Sequence, residues 1–275
     1  MIMKRMTRIQ VGSLAVAVDD AGDGLPVVLL HGLACGKRMW FHQKRALRKR
    51  FRVIAYDLRG HGQTDAPAAA TDYSAALLAR DLVGVLDALK IEQAAIVGFS
   101  LGGGPALALA ASKPERVSRL VLADVGSGAD EPIKTEWMAR RWVKLIAQGE
   151  IDELVCDMLR SDLFKVYAQR NARSREHMAG LIRATPINGL RLMLSEVLAK
   201  RKSLFQLTGV LKSVRAPTLV LVGEYDYTCS KAARLLTASI FNSALKIIAG
   251  SGHMSPLEQP AAFTAALLEF LDGAN

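Results

Sequence analysis

Six residues, Gly98-Phe99-Ser100-Leu101-Gly102-Gly103, break an otherwise apolar stretch of chain. The β-like run Ala94 to Val97 precedes them, and the alanine-rich, helix-like run Pro105 to Ala111 follows. A strand passing into a helix through so short a turn forces the serine at its apex into a strained backbone conformation. Only residues without a bulky Cβ fit two positions to either side of it. Gly98 and Gly102 occupy those two positions. The turn lifts the Ser100 hydroxyl clear of the sheet, and the helix that follows aims its N-terminal N–H groups at the same spot. A nucleophile and an anion site therefore arise together. The uncharged run Ala94 to Ser112 spans 19 residues, enough for a membrane helix, but Gly102-Gly103-Gly104-Pro105 lies within it. It reads instead as a buried strand and helix, and no membrane association is expected.

The motif G-x-S-x-G in a strand-turn-helix setting resembles the nucleophile elbow of the α/β-hydrolase fold family. That resemblance implies a mostly parallel central sheet with helices on both faces, an oxyanion loop upstream of the elbow, and an acid and a histidine downstream in that order. The chain supplies a residue for each place. Pro26-Val27-Val28-Leu29-Leu30 is a wholly apolar run of the kind found in strands buried on both faces, and it ends at His31-Gly32-Leu33. By position in the family, the backbone N–H groups of Leu33 and Leu101 would form the oxyanion hole. His31 precedes the elbow, the wrong chain order for a base in this fold, and is read as a structural loop histidine.

A serine hydroxyl is a weak nucleophile at neutral pH and needs a base, and the base needs an acid to hold one tautomer. Thr218 to Val222 ends a strand-like run from Ala216 that leads into Gly223-Glu224-Tyr225-Asp226. Leu245 to Ile248 leads into Gly250-Ser251-Gly252-His253-Met254. Both loops leave the carboxyl end of a strand, where open α/β sheets place ligand sites. The expected triad is Ser100, Asp226 and His253. Asp124 also ends a strand and is the rival acid. His42 and His177 fall in helix-like segments, and His61 belongs to Asp57-Leu58-Arg59-Gly60-His61-Gly62, which matches the family's D-x-R-G-H-G loop. Asp57 and Arg59 are expected to bond to each other or to nearby backbone.

Strand and helix patterns alternate from Thr7 to Ala123, with short strands at Thr7 to Val11 and Leu14 to Asp19, a strand at Phe51 to Tyr56 and a helical period over Tyr73 to Leu89. From about Ser127 to Lys212 only helical patterns remain, where many members of the family carry a cap over the active site. The expected division is core at 1–126, helical cap at 127–212 and core again at 213–275, with a last helix near Pro260 to Leu271. Trp137, Trp142, Phe164 and Tyr167 are candidates to line the pocket under the cap.

The 275 residues are 51% hydrophobic, ample for a buried core. Cys35, Cys156 and Cys229 are odd in number and lack ligand spacing, so neither a disulfide framework nor a zinc site is indicated. Met1 to Gln10 lacks the apolar segment of a signal peptide, which reads as a cytoplasmic protein. The net charge of +10 is concentrated in Lys37 to Arg52, with eight Lys or Arg and no acid. Met39, Trp40, Leu47 and Phe51 suggest that one face of this stretch packs on the sheet while its charges are solvated. No nucleic-acid partner is expected, though the stretch could dock an acidic carrier protein.

The resemblance implies a metal-free, cofactor-free serine hydrolase acting on a small ester or lactone. Alternatives are a carbon–carbon bond hydrolase of the ring-cleavage type, a thioesterase on carrier-bound acyl groups, a cofactor-free perhydrolase or haloperoxidase, and a non-catalytic small-molecule receptor or binding module. Aspartate nucleophiles, as in haloalkane dehalogenases and epoxide hydrolases, do not fit Ser100. The ring-cleavage hydrolases typically have a glycine-rich oxyanion loop and a tryptophan after the histidine, where this chain has Leu33-Ala34-Cys35-Gly36 and Met254.

Overall fold

The computed structural model describes residues 7–126, 129 and 131–273. Eight strands form one sheet: β1 (Thr7–Val11), β2 (Leu14–Ala21), β3 (Pro26–Leu30), β4 (Arg52–Tyr56), β5 (Ala94–Phe99), β6 (Val117–Ala123), β7 (Thr218–Gly223) and β8 (Ser243–Ile248). Their order is β1-β2-β4-β3-β5-β6-β7-β8. β2 pairs antiparallel with both β1 and β4, and every other pairing is parallel. Parallel strands need crossovers that cover both faces, which is why β3, β5 and β7 are near-continuous apolar runs.

Alternation along the strands splits the core in two. Leu29, Ala55, Val97, Val121 and Leu221 face one way and join a cluster with Trp40, Leu47, Phe263 and Leu267. Leu47 belongs to α1 (Phe41–Leu47). Leu30, Ile54, Ile96, Leu122 and Val220 face the other way. There they meet Leu82, Val85 and Leu86 of α2 (Ala75–Ala88) and Ala106, Leu109 and Ala110 of α3 (Gly103–Ser112). In α2 the apolar residues recur at helical spacing, and the Ser74 hydroxyl opens the helix by accepting the Leu77 N–H at 3.1 Å.

After β6 come the helices α4 (Pro132–Ala147), α5 (Ile151–Arg160), α6 (Lys165–Gln169), α7 (Ala172–Arg183) and α8 (Ile187–Leu192), which runs into a π-turn at Met193–Leu198. Their buried residues, among them Trp142, Met158, Ile182 and Met193, extend the first cluster beyond the sheet. Trp142 is wholly buried, with its indole N–H donating to Asp157 at 2.8 Å, whereas Trp137 is 64% exposed and lines nothing internal. Within the stretch that sequence assigns to the cap, Leu204 and Leu211 join the second cluster instead, Leu211 through α9 (Thr208–Ser213), which packs on α3. The chain closes with α10 (Tyr227–Ser239), α11 (Ser255–Glu258) and α12 (Pro260–Leu271). α10 has no counterpart among the sequence expectations. It is the crossover that a parallel β7–β8 pair requires, and it buries Ala232, Ala233 and Leu236.

The basic stretch is less solvated than its composition suggests. Lys37 is buried and bonded to Asp57, and Lys44, Arg50 and Arg52 pair with Asp19, Asp272 and Asp20. Met39, Trp40, Leu47 and Phe51 are all buried. Among the described residues no helix is long and apolar enough to cross a membrane.

Candidate active site

Ser100 sits at φ +49° between β5 and α3, in the left-handed region that non-glycine residues rarely adopt. Its neighbours allow this only because they lack side chains. A Cβ on Gly98 would lie 2.6 Å from the Gly102 carbonyl oxygen and 2.8 Å from Ala106 Cβ. One on Gly102 would lie 2.6 Å from Leu30 Cβ and 2.8 Å from the His31 carbonyl oxygen. The elbow is therefore wedged between α3 and the end of β3.

The loops after β7 and β8 converge on this serine. Ser100 Oγ lies 2.9 Å from His253 Nε2, and His253 Nδ1 lies 2.7 Å from Asp226 Oδ2. The acid neighbour places the proton on Nδ1, leaving Nε2 to accept from the serine hydroxyl. Asp226 Oδ1 accepts the Thr228 hydroxyl at 2.7 Å. Burial pushes the Asp226 carboxyl up, but His253, Thr228 and Cys229 more than offset this and hold it below the ordinary aspartate value. The chain of contacts can move a proton from an alcohol to an imidazole whose developing charge faces a carboxylate.

The loop after β3 lies against the same serine. A Cβ on Gly32 would approach Ser100 Cβ to 3.2 Å and the Phe99 ring to 2.7 Å, so the Gly32–Leu33 backbone runs directly beside the elbow. Two buried histidines shape it. His31 Nε2 accepts the Leu58 N–H at 2.9 Å and Nδ1 lies 2.8 Å from the Gly32 carbonyl oxygen; His61 Nε2 accepts the Ala34 N–H at 3.2 Å. Burial lowers both from the ordinary histidine value, His61 to about 3, so each is a neutral staple.

Asp57 and Arg59 do not bond to each other. Asp57 accepts Lys37 N–H at 2.6 Å, Lys37 Nζ at 2.8 Å and Gln63 N–H at 3.0 Å. Arg59 forks onto Asp81 with two bonds of 2.6 Å and also donates to the Asp72 carbonyl. The Gln63 N–H is the nearby backbone that the loop was expected to offer, whereas the charged partners, Lys37 and Asp81, lie about twenty residues away in sequence, beyond what a loop motif reveals.

The sequence profile of the α/β-hydrolase fold matches residues 26–260. The chain belongs to the α/β-hydrolase fold family. Among curated proteins, 2-hydroxymuconate semialdehyde hydrolase of Pseudomonas sp. strain CF600 is 32% identical over 268 residues, covering 94% of this chain and 90% of that protein. Among solved structures, the enol-lactonase from Burkholderia xenovorans LB400 superposes with a TM-score of 0.80 at 25% identity over 95% of this chain and 98% of that one. A thermophilic esterase from Thermogutta terrifontis gives a TM-score of 0.84 at 27% identity over 98% of each chain.

In this α/β hydrolase the rival acid, Asp124, contacts Gly223 and Ser255 rather than His253. Thr228 and Cys229 were missed by sequence reasoning, since neither carries a motif. Cys229 Sγ lies 3.7 Å from His253 Nδ1. Asp226, Cys229 and His253 thus gather three possible metal-ligand atoms within 4.8 Å. The donor chemistry suits a proton relay better, because Nδ1 must keep its proton for Asp226, and burial together with the charge of Asp226 pushes the thiol far above its usual value. A groove of about 910 Å³ lies elsewhere, walled by the β1–β2 turn, α2 and the end of α3. Its charged walls, including Arg59, Asp72, Arg80 and Lys113, carry no histidine to activate a hydroxyl, so chemistry rather than volume marks the site.

The helical layer reaches the histidine loop directly. A Cβ on Gly252 would meet Val166 Cβ of α6 at 2.7 Å, and Arg170 donates to the Glu258 carbonyl.

Proposed function

We propose that the protein is a serine hydrolase that cleaves a carboxylic ester or lactone of a small, largely apolar substrate through an acyl-enzyme on Ser100. The observation that carries this reading is the unbroken contact chain from Ser100 Oγ to His253 to Asp226, at 2.9 and 2.7 Å. The likeness to an enol-lactonase and an esterase supports it.

Ser100 Oγ attacks the acyl carbon as its proton passes to His253 Nε2, and Asp226 stabilises the imidazolium that forms. The backbone N–H groups of Leu33 and Leu101 hold the oxyanion of the tetrahedral intermediate. His253 then gives its proton to the departing alkoxide, leaving an ester on Ser100. A water deprotonated by the same Nε2 attacks that ester, and collapse of the second intermediate releases the acid and restores the serine hydroxyl. The α4–α8 layer excludes bulk water and limits substrate size. These steps use protein groups throughout.

Hydrolysis of p-nitrophenyl butyrate by wild type and Ser100→Ala, with mass spectrometry after a fluorophosphonate probe, tests the reading. Turnover lost in the variant and a single adduct on Ser100 are expected. A wild type that neither turns over nor takes the probe overturns it and favours a binding role. Carbon–carbon bond hydrolysis is the second reading, favoured by the 32% identity to the Pseudomonas hydrolase. Turnover of a ring-cleavage dienone at a kcat/KM above that of any ester would promote it.

A further inference from the structure

Asp124 is a fully buried acid that the proposed chemistry does not use. It follows the last residue of β6 and sits at φ +49°, a conformation that a non-glycine residue keeps only where its surroundings hold it there. Its surroundings are the two loops of the site. Oδ1 accepts the Gly223 N–H at 2.8 Å, three residues before Asp226, and Oδ2 is hydrogen-bonded to the Ser255 hydroxyl, two residues after His253. One side chain thus grips the root of the acid loop with one oxygen and the exit of the histidine loop with the other. The loops also touch directly, Tyr225 N–H donating to the Ser251 carbonyl at 2.8 Å and Glu224 N–H to the Ile248 carbonyl at 3.1 Å. Those bonds fix the entry of the histidine loop. Beyond His253, the Asp124–Ser255 contact ties the loop back to the strand ends.

We propose that Asp124 is a positioning residue, a clasp that sets the distance between Asp226 and His253, and not a reserve acid for the histidine. This rests on the reading of Ser100, His253 and Asp226 as the reacting groups. The groups that face the clasp are Asp226, Glu258 and Cys229, with His253 beyond Asp226. Burial first, and then the charge of Asp226, push the Asp124 carboxyl well above the ordinary value, and its bonds to Ser255 and Gly223 do not reverse this. A protonated Asp124 accepts from Gly223 through one oxygen and donates to Ser255 through the other, so both contacts are satisfied without charge. The negative charge stays on Asp226, beside the imidazole that must become positive.

A neutral clasp has an uncharged isostere. In Asp124→Asn, Oδ1 still accepts from Gly223 and Nδ2 donates to Ser255. The expected result is a kcat within about twofold of wild type and an unmoved acidic limb of the pH–rate profile. Asp124→Ala is expected to lower kcat by roughly ten- to hundredfold with little change in KM, the effect of a misplaced reacting group. Ser255→Ala cuts the same contact from the other side and is expected to lower kcat in the same sense by less, which keeps the test open if Asp124→Ala does not fold. The far-downfield proton resonance of the His253–Asp226 bond supplies a readout that needs no turnover. It is expected to persist in Asp124→Asn and to shift or broaden in Asp124→Ala and Ser255→Ala. If wild type proves inactive while the resonance follows this pattern, the clasp stands and the hydrolase reading falls. An Asp124→Asn variant as impaired as the alanine one, with its acidic limb shifted, would show an ionised second acid and overturn the proposal. So would Asp124→Ala and Ser255→Ala variants with wild-type kcat and resonance.

Discussion

His253 Nδ1 and Asp226 Oδ2 lie 2.7 Å apart across 27 residues of sequence, both buried to within 2% of full exclusion from solvent. Removing the Asp226 charge while keeping its shape isolates what that contact does. Asp226→Asn is expected to fold normally and to lose about 10⁴-fold in kcat on p-nitrophenyl butyrate, because the amide favours the wrong imidazole tautomer. Retention of more than a tenth of the wild-type kcat would refute the assignment of the acid.

The glycines of the elbow differ sharply in what surrounds them. A Cβ on Gly98 meets a carbonyl oxygen at 2.6 Å, while one on Gly104, in the first turn of α3, meets nothing within 4 Å. Gly98→Ala is expected to lower stability by about 1–3 kcal/mol through overpacking and to impair turnover with it. Gly104→Ala is expected to raise stability by about 0.5–1 kcal/mol, since it only reduces the freedom of the unfolded chain. Urea denaturation of the two variants measures both, and equal effects would contradict the geometry.

Arg59 and Asp81 form a bidentate pair with side chains less than a tenth exposed. Asp81→Ala leaves a buried guanidinium uncompensated and is expected to cost about 3–5 kcal/mol. The double variant Arg59→Met, Asp81→Leu is expected to recover most of that loss. A double-mutant cycle read by denaturant midpoint checks the coupling, and additive losses would mean that the pair is not a unit.

His61 carries a pH prediction. Its folded value is lowered to about 3 from 6.5, so below pH 6.5 the unfolded chain binds a proton that the folded chain refuses. Stability is therefore present above that pH and falls as pH drops toward 3, by roughly 4–5 kcal/mol in all from this group. His61→Gln retains an acceptor for the Ala34 N–H and a donor for the Arg59 carbonyl without titrating. Thermal unfolding from pH 7 to pH 4 is expected to show a shallower decline in the variant, and parallel curves would show that His61 does not drive the loss.

The local sequence determined the elbow, the strands and the order of the site residues. Each of these rests on short-range physics. A short apolar run rich in Val, Leu and Ile between turn residues, such as Val27 to Leu30, fits a strand buried on both faces, and Gly98 and Gly102 mark the two places where a side chain would strike backbone. Ser100, Asp226 and His253 could be named as candidates because the G-x-S-x-G turn resembles the family's elbow, which implies an acid and a histidine downstream, and glycine-rich turns after strands mark where those would fall. Tertiary structure alone decided which charges meet. Asp57 takes Lys37 and Arg59 takes Asp81, because ion pairs are chosen by what folding brings into one dry space rather than by sequence neighbours. It also decided that Leu204 and Leu211 join the second core cluster and that α10 bridges β7 and β8. In the same way it made Asp124 a link between two loops that lie 99 and 131 residues away along the chain. Composition and periodicity carry no record of such distances, since the sheet sets them only when its strands are assembled.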